Sequence, residues 1–251
     1  MAQFDTVRQQ TAATAGAGAR AAEIDTGLRA HMNKIYGLMS VGLGVTGAVA
    51  WAFGTSEGLQ SILRDPITFQ PNILGFAVMF APLAFILVMS FGINKLSAGA
   101  LQFLFYTFAA VMGASISWIF LAYTGASIAQ TFFVTAIAFA GLSLYGYTTK
   151  KDLSGMGAFL IMGLIGLIVA SIVNIFLASS ALGFAISVIG VLIFAGLTAY
   201  DTQRLKNEYI MAARAGATEW LQKSAIMGAL SLYLNFINMF MFLLQFLGNR
   251  E

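Results

Sequence analysis

The sequence predicts an all-α integral membrane protein, a seven-transmembrane-helix bundle with the C-terminal helix central. Three observations predict it. Of the 251 residues, 59% are hydrophobic and only 9% are charged, whereas soluble domains carry about 25% charged residues. So few charges cannot cover a water-facing surface. Seven segments come near the roughly 20 apolar residues that a membrane helix requires. Polar residues in the last segment share one stripe, which lipid would leave unsatisfied.

The same composition closes other classes. Cysteine is absent and His31 is the single histidine, which removes disulfide frameworks, thiolate sites and His-rich metal sites. The net charge of +3 is small and unclustered, so no nucleic-acid partner is expected. There is no H-E-x-x-H, no G-x-S-x-G and no second in-membrane acid to pair with Asp201. An enzyme is therefore not expected, and nothing calls for a cofactor.

Residues 1–34 are polar, Ala-rich and of mixed charge; they read as a disordered cytoplasmic tail. "AVA" (48–50) resembles a signal-peptide cleavage site, but a signal peptide has a short leading region. Here the polar tail precedes the apolar run, so the first span is read as uncleaved. The transmembrane domain is 35–251. Its spans are 35–53, 73–92, 99–123, 129–147, 156–177, 182–203 and 224–247, each a run of apolar residues bounded by polar or turn-forming ones. The separators are 54–72 with Pro66 and Pro71, "GINKLSAG" (92–99), "YTGAS" (123–127), "TTKKDLSG" (148–155), "ASSA" (178–181) and a long loop, 204–223. Two separators are short and uncharged, so spans three and four, and spans five and six, should form tight antiparallel pairs.

Basic residues set the orientation. The tail holds Arg8, Arg20, Arg29 and Lys34; the loops after spans two, four and six hold Lys95, Lys150, Lys151, Arg204, Lys206, Arg214 and Lys223. Of the 13 Lys and Arg, only Arg64 and Arg250 fall on the other side. The N-terminus should be cytoplasmic and the C-terminus external.

Membrane helices associate through close packing and hydrogen bonds, and small residues permit it. Ser40, Gly44 and Gly47 in span one, Gly163 and Gly166 in span five, and Gly183, Gly190 and Gly196 in span six read as packing positions. In span seven, Ser224, Gly228, Ser231, Asn235, Asn238 and Gln245 recur at helical spacing. They are either interhelical hydrogen-bonding groups or the lining of a polar path.

The 48 residues from Leu153 to Tyr200 contain no ionisable acid or base other than tyrosine. Asp201 ends that run near the end of span six, where the helix dipole disfavours a carboxylate. Arg204 at i+3 and Lys95 at a similar depth are candidate partners. Asp201 is either a solvated interfacial residue paired with Arg204 or a buried acid that titrates.

"YDTQ" (200–203), "SLYLNFINMF" (231–240), "IDTGLRAHMNKIYGLMSVGLGVTG" (24–47), "FYTFAAVMGAS" (105–115) and "TTKKDLSGMG" (148–157) carry a resemblance. The chain resembles the Bax inhibitor-1 (transmembrane Bax inhibitor motif) family, most closely its bacterial YccA-like branch. That resemblance implies a central last helix and an inner-membrane location. It also implies a pH-sensitive Ca²⁺ leak in which acids of the sixth and seventh helices share a proton and a basic residue of the second latches one of them. The corresponding positions are Asp201, Asn235 and Lys95. Asn235 departs from the pattern, since an amide cannot share a proton as a second carboxylate would. The switch should weaken or shift, and Asp201 is left as a weak, transient Ca²⁺ contact. The resemblance further implies a partner, a membrane-bound AAA protease, which "TAATAGAGARAAE" (11–23) could engage. Contact between Asp201 and Asn235 requires span seven to begin earlier, or span six to extend further, than hydropathy indicates.

Overall fold

The computed structural model describes the backbone of residues 2–68 and 70–249, with side chains over 22–68, 70–217 and 220–249. Its helices are α1 (Ala2–Thr55), α2 (Glu57–Leu63), α3 (Ile73–Gly92), α4 (Ala98–Ile116), α5 (Ile119–Ala122), α6 (Gly125–Thr148), α7 (Ser154–Leu177), α8 (Ser180–Ala215) and α9 (Thr218–Leu247). Seven helical stretches are long and apolar enough to cross a membrane. The third of these comprises α4 and α5, offset where Ser117 Oγ turns back to donate to Ala114 O.

The separators work by capping. Asn72, Ser97, Thr124 and Ser179 each accept a backbone N–H from the first turn of α3, α4, α6 and α8. A cap oxygen satisfies an otherwise orphaned donor, which fixes where each helix starts.

α9 is the axis. In its most apolar window 61% of residues are buried, against 11% in α7. α1, α4, α6 and α8 surround α9, with α3 behind α4 and α7 behind α8. This is the central last helix that the polar stripe predicts.

Three expectations change. First, 204–223 is not a long loop. α8 runs on to Ala215, and α9 resumes at Thr218 after a turn at Gly216, φ 72°. Hydropathy ends at Gln203 but helix propensity does not, because Arg, Lys, Glu, Met and Ala are good helix formers. Glycine suits the left-handed turn conformation, where a Cβ would be strained. Second, 22–34 is not an unstructured tail. It is continuous with span one and buries Leu28, His31 and Met32. Third, spans five and six pair as α7 and α8, but spans three and four meet only near their connector, where α5 touches α6. α4 packs on α1, α3 and α9, whereas α6 packs on α8 and α9. A short connector fixes where helix ends lie, and the α4–α5 offset then sends the two axes apart.

The small residues divide as well. Gly190 faces the Phe242 ring and Gly196 faces Leu160. Gly146, which had no assigned role, lets α6 approach the backbone of α8 at Ala199 so closely that any Cβ would collide with it. By contrast, a Cβ at Gly44, Gly47 or Gly166 would meet nothing within 4 Å.

Candidate functional site

The run Tyr200–Lys206 on α8 fastens almost every neighbouring element. Tyr200 lies against Gly157 of α7. Thr202 Oγ1 lies 3.4 Å from Ser143 Oγ of α6 and donates to Thr198 O of its own helix. The Gln203 amide grips the α6–α7 connector from both sides: Nε2 donates to Lys151 O at 2.7 Å, and Oε1 accepts Leu153 N–H at 2.8 Å. Lys206 Nζ donates to Tyr147 O at 2.7 Å, satisfying a carbonyl at the end of α6. Leu205 packs against Gly228 of α9.

Asp201 points between α8 and α9 and is 6% exposed. Its Oδ1 takes the Arg204 Nη2 at 3.0 Å. Its Oδ2 accepts from Ser231 Oγ and from Asn235 Nδ2, each at 2.8 Å. The carboxylate is thus paired with Arg204 and buried rather than solvated. Because α8 continues to Ala215, Asp201 sits inside the helix rather than at its negative end. The extension of both helices also supplies the depth that contact with Asn235 requires. A buried carboxylate is tolerated only with such compensation, since removing a partner from a buried pair costs about 3–5 kcal/mol.

Arg204 links two acids. Its Nη2 also reaches Ser231 Oγ at 3.4 Å, its Nε lies 3.7 Å from Glu208 Oε1, and its guanidinium sits 5.8 Å from the Tyr200 ring centroid. The Nε is buried and makes no hydrogen bond. Glu208 escaped the sequence reading, although i, i+3 and i+7 spacing puts Asp201, Arg204 and Glu208 on one helix face.

Lys95 is not part of this cluster. It is exposed just past α3, a helix that packs on α2 and α4 rather than on α8. Among the described residues, Lys95 forms no ion pair with Asp201.

The α9 stripe does not form one continuous polar path. Ser224 donates to Leu221 O, and Asn238 Nδ2 donates to Leu234 O in its own helix. Gln245 emerges in a separate cavity of about 380 Å³ with Asn174, Ser180 and Ser187. Between that cavity and Asp201 stand Phe242, pressed on Gly190, and Phe194, stacked on Phe242 at 6.0 Å. Ser231 and Asn235 alone reach the acid.

A second buried polar node lies across α9. Tyr233, fully buried, places its hydroxyl 2.6 Å from Thr46 Oγ1, which also lies 2.8 Å from Ala109 O. One arrangement satisfies both groups: Tyr233 donates to Thr46, and Thr46 donates to a backbone carbonyl. α1, α4 and α9 are tied by it.

With one carboxylate and few oxygens, the Asp201 site is far from the six to eight oxygen ligands that Ca²⁺ takes. Among the described residues, no group of three or more His, Cys, Asp or Glu could hold a metal ion. The side chains of 2–21 lie outside the described residues, and with them most of the stretch read as a protease contact.

The profile of the family described as "Inhibitor of apoptosis-promoting Bax1" matches residues 28–251. The chain belongs to the Bax inhibitor-1 family. It is 48% identical over 227 residues to the inner membrane protein YbhL of Escherichia coli K12, covering 90% of this chain and 94% of YbhL. It is 49% identical over 237 residues to an uncharacterized protein of Caulobacter vibrioides, covering 91% and 92%. An uncharacterized protein of Rickettsia prowazekii is 46% identical over 227 residues, covering 90% and 92%. Within this Bax inhibitor-1 chain, an amide and a hydroxyl of the central helix hold the acid that the sixth span presents.

Proposed function

We propose that this protein is a pH-sensitive leak pathway for Ca²⁺ or another cation in a bacterial inner membrane, closed in the conformation described and controlled at Asp201. One observation carries the reading: the buried carboxylate is the fastening between α8 and the central α9. Loss of its charge removes the Arg204 pair and weakens the bonds from Ser231 and Asn235, since hydrogen bonds to an ionised acceptor are roughly twice as strong as neutral ones. The seam then loosens beside the aromatic plug of Phe194 and Phe242.

The charged and titratable groups near Asp201 are few. Arg204 and Glu208 lie on its own helix, α9 offers the neutral Ser231 and Asn235, α1 brings His31 against Tyr209, and Lys206 is turned to α6. A passing ion needs only weak, multi-site binding, so a single acid serves a conducting path better than a storage site. The inner-membrane location rests on YbhL, whose name states it, and the cytoplasmic N-terminus on the Lys and Arg bias.

The test is Ca²⁺ flux into dye-loaded proteoliposomes between about pH 5 and 8, the range over which physiological switches operate. Flux that rises with acid in the native protein, and loses its pH response in Asp201→Asn, supports the proposal. Folded protein that passes no ion at any pH removes it.

A further inference from the structure

α1 and α6 stand side by side around α9 without packing against each other. The gap between them holds two cavities, of about 630 and 710 Å³, that share Met39, Ser40 and Phe139 and so form one groove. Its α1 wall carries Ser40, Gly44 and Gly47; its α6 wall carries Ala129, Ala136 and Ala140; Phe236, Ile237 and Phe240 of α9 form the floor. The small residues predicted to bring helices together instead leave a space that none of the described residues fills.

The groove is amphiphilic along its length. One end is lined by Asp25, Arg29 and Asn33, with Tyr36 and Tyr147 just inside it. The remainder is almost wholly apolar. Arg29 and Asp25 form an exposed ion pair at 3.1 Å, a cation and an anion side by side at the mouth. From Asn33 to Gly44 the helix rises about 16 Å, which matches one leaflet of a hydrocarbon core about 30 Å thick. Tyrosines at the junction of polar and apolar sections are the side chains that favour a membrane interface.

We propose that this groove is a binding site for one zwitterionic glycerophospholipid of the surrounding bilayer, a phosphatidylethanolamine. One of its two acyl chains lies between α1 and α6 over the α9 floor. Its phosphate meets the Arg29 guanidinium and its ammonium meets the Asp25 carboxylate. Charge complementarity selects this occupant: a zwitterion engages both members of the pair, whereas an anionic lipid leaves Asp25 opposed by like charge. The bound lipid completes the wall that α1 and α6 leave open, and it does so whether or not the protein conducts ions.

Native mass spectrometry of the full chain, released from detergent after titration with phosphatidylethanolamine or phosphatidylglycerol, tests this. The expected result is one retained lipid, with phosphatidylethanolamine preferred. Arg29→Gln should lower its retention about tenfold, the scale of one charge-assisted contact. Asp25→Asn should erase the preference. Gly44→Leu with Ala136→Leu should fill the groove and abolish retention while thermal unfolding remains cooperative. Should that double variant unfold, Ser40→Leu alone supplies the steric test. No retained lipid, or retention unchanged by a folded groove-filling variant, overturns the proposal. So does a groove variant that alters only the oligomeric state, which would make the groove a protein interface.

Discussion

The Asn235 amide donates to Oδ2 of Asp201 across 2.8 Å, joining the central helix to the helix that precedes it. An amide at this place gives a donor without a second titrating group. The acid therefore meets only neutral partners on α9, with the charged Arg204 beside it on α8, and Asp201 and Asn235 can be varied separately.

Asp201→Asn should leave Arg204 facing two amides and a hydroxyl. Because the Arg204 side chain is 40% exposed, water recovers part of the loss. The full cost of a broken buried pair, about 3–5 kcal/mol, should fall to about 1–3 kcal/mol. Chemical denaturation of detergent-solubilised protein at neutral pH checks the direction and the size.

Asn235→Asp should place two carboxylates in contact. Like charges that close cannot both remain ionised, so one proton is held to higher pH. The pH at half-maximal flux should move upward relative to the native protein. An unchanged profile would disconnect the α8–α9 seam from control of the pathway.

Gln203→Ala should free the α6–α7 connector. Leu153 N–H and Lys151 O would both lose their partner, and a buried unsatisfied group costs about 1–3 kcal/mol. Amide exchange at Leu153 should quicken, with little change in α9. Gln203→Glu should restore only the contact to Leu153 N–H, because a carboxylate cannot donate to Lys151 O.

Tyr233→Phe and Thr46→Val should be strongly non-additive. Each removes one side of the same 2.6 Å hydrogen bond, and residues that share a bond couple by about 0.5–3 kcal/mol. A double-mutant cycle on unfolding free energy measures the coupling; simple additivity would mean that the packing of Tyr233 on Phe105 and Phe108 accounts for its burial.

Asp65 should make the connector before α3 acid-sensitive. Its carboxylate accepts N–H from Ile67 and Thr68 at 2.9 and 2.8 Å, and these backbone bonds hold it below the usual carboxylate range. The folded value is the lower one. The stabilisation is therefore present above the ordinary value near 3.8 and is lost as pH falls through the depressed one. Amide exchange at Thr68, corrected for intrinsic rates, should lose protection only below that range, and Asp65→Ala should lack it at every pH.

The number of spans, their order and the central place of α9 were fixed by composition and periodicity. Lipid enforces them locally: each span must satisfy its own backbone, and a Ser–Asn stripe must turn away from hydrocarbon. Asp201 stood out for the same reason, a charge at the end of a charge-free run. What followed Gln203 did not stand out, because a hydropathy scan reads polarity and the helix persists after polarity returns. Only the tertiary structure decided that Arg204 and Asn235 share one carboxylate, that Lys95 stands apart, that Gln203 reaches across to the connector and that Gly44 and Gly47 face open space. Those outcomes depend on which helix lies opposite which face. That is settled by close approaches between residues distant in sequence, such as Gly146 on Ala199, and no local pattern along the chain contains that information.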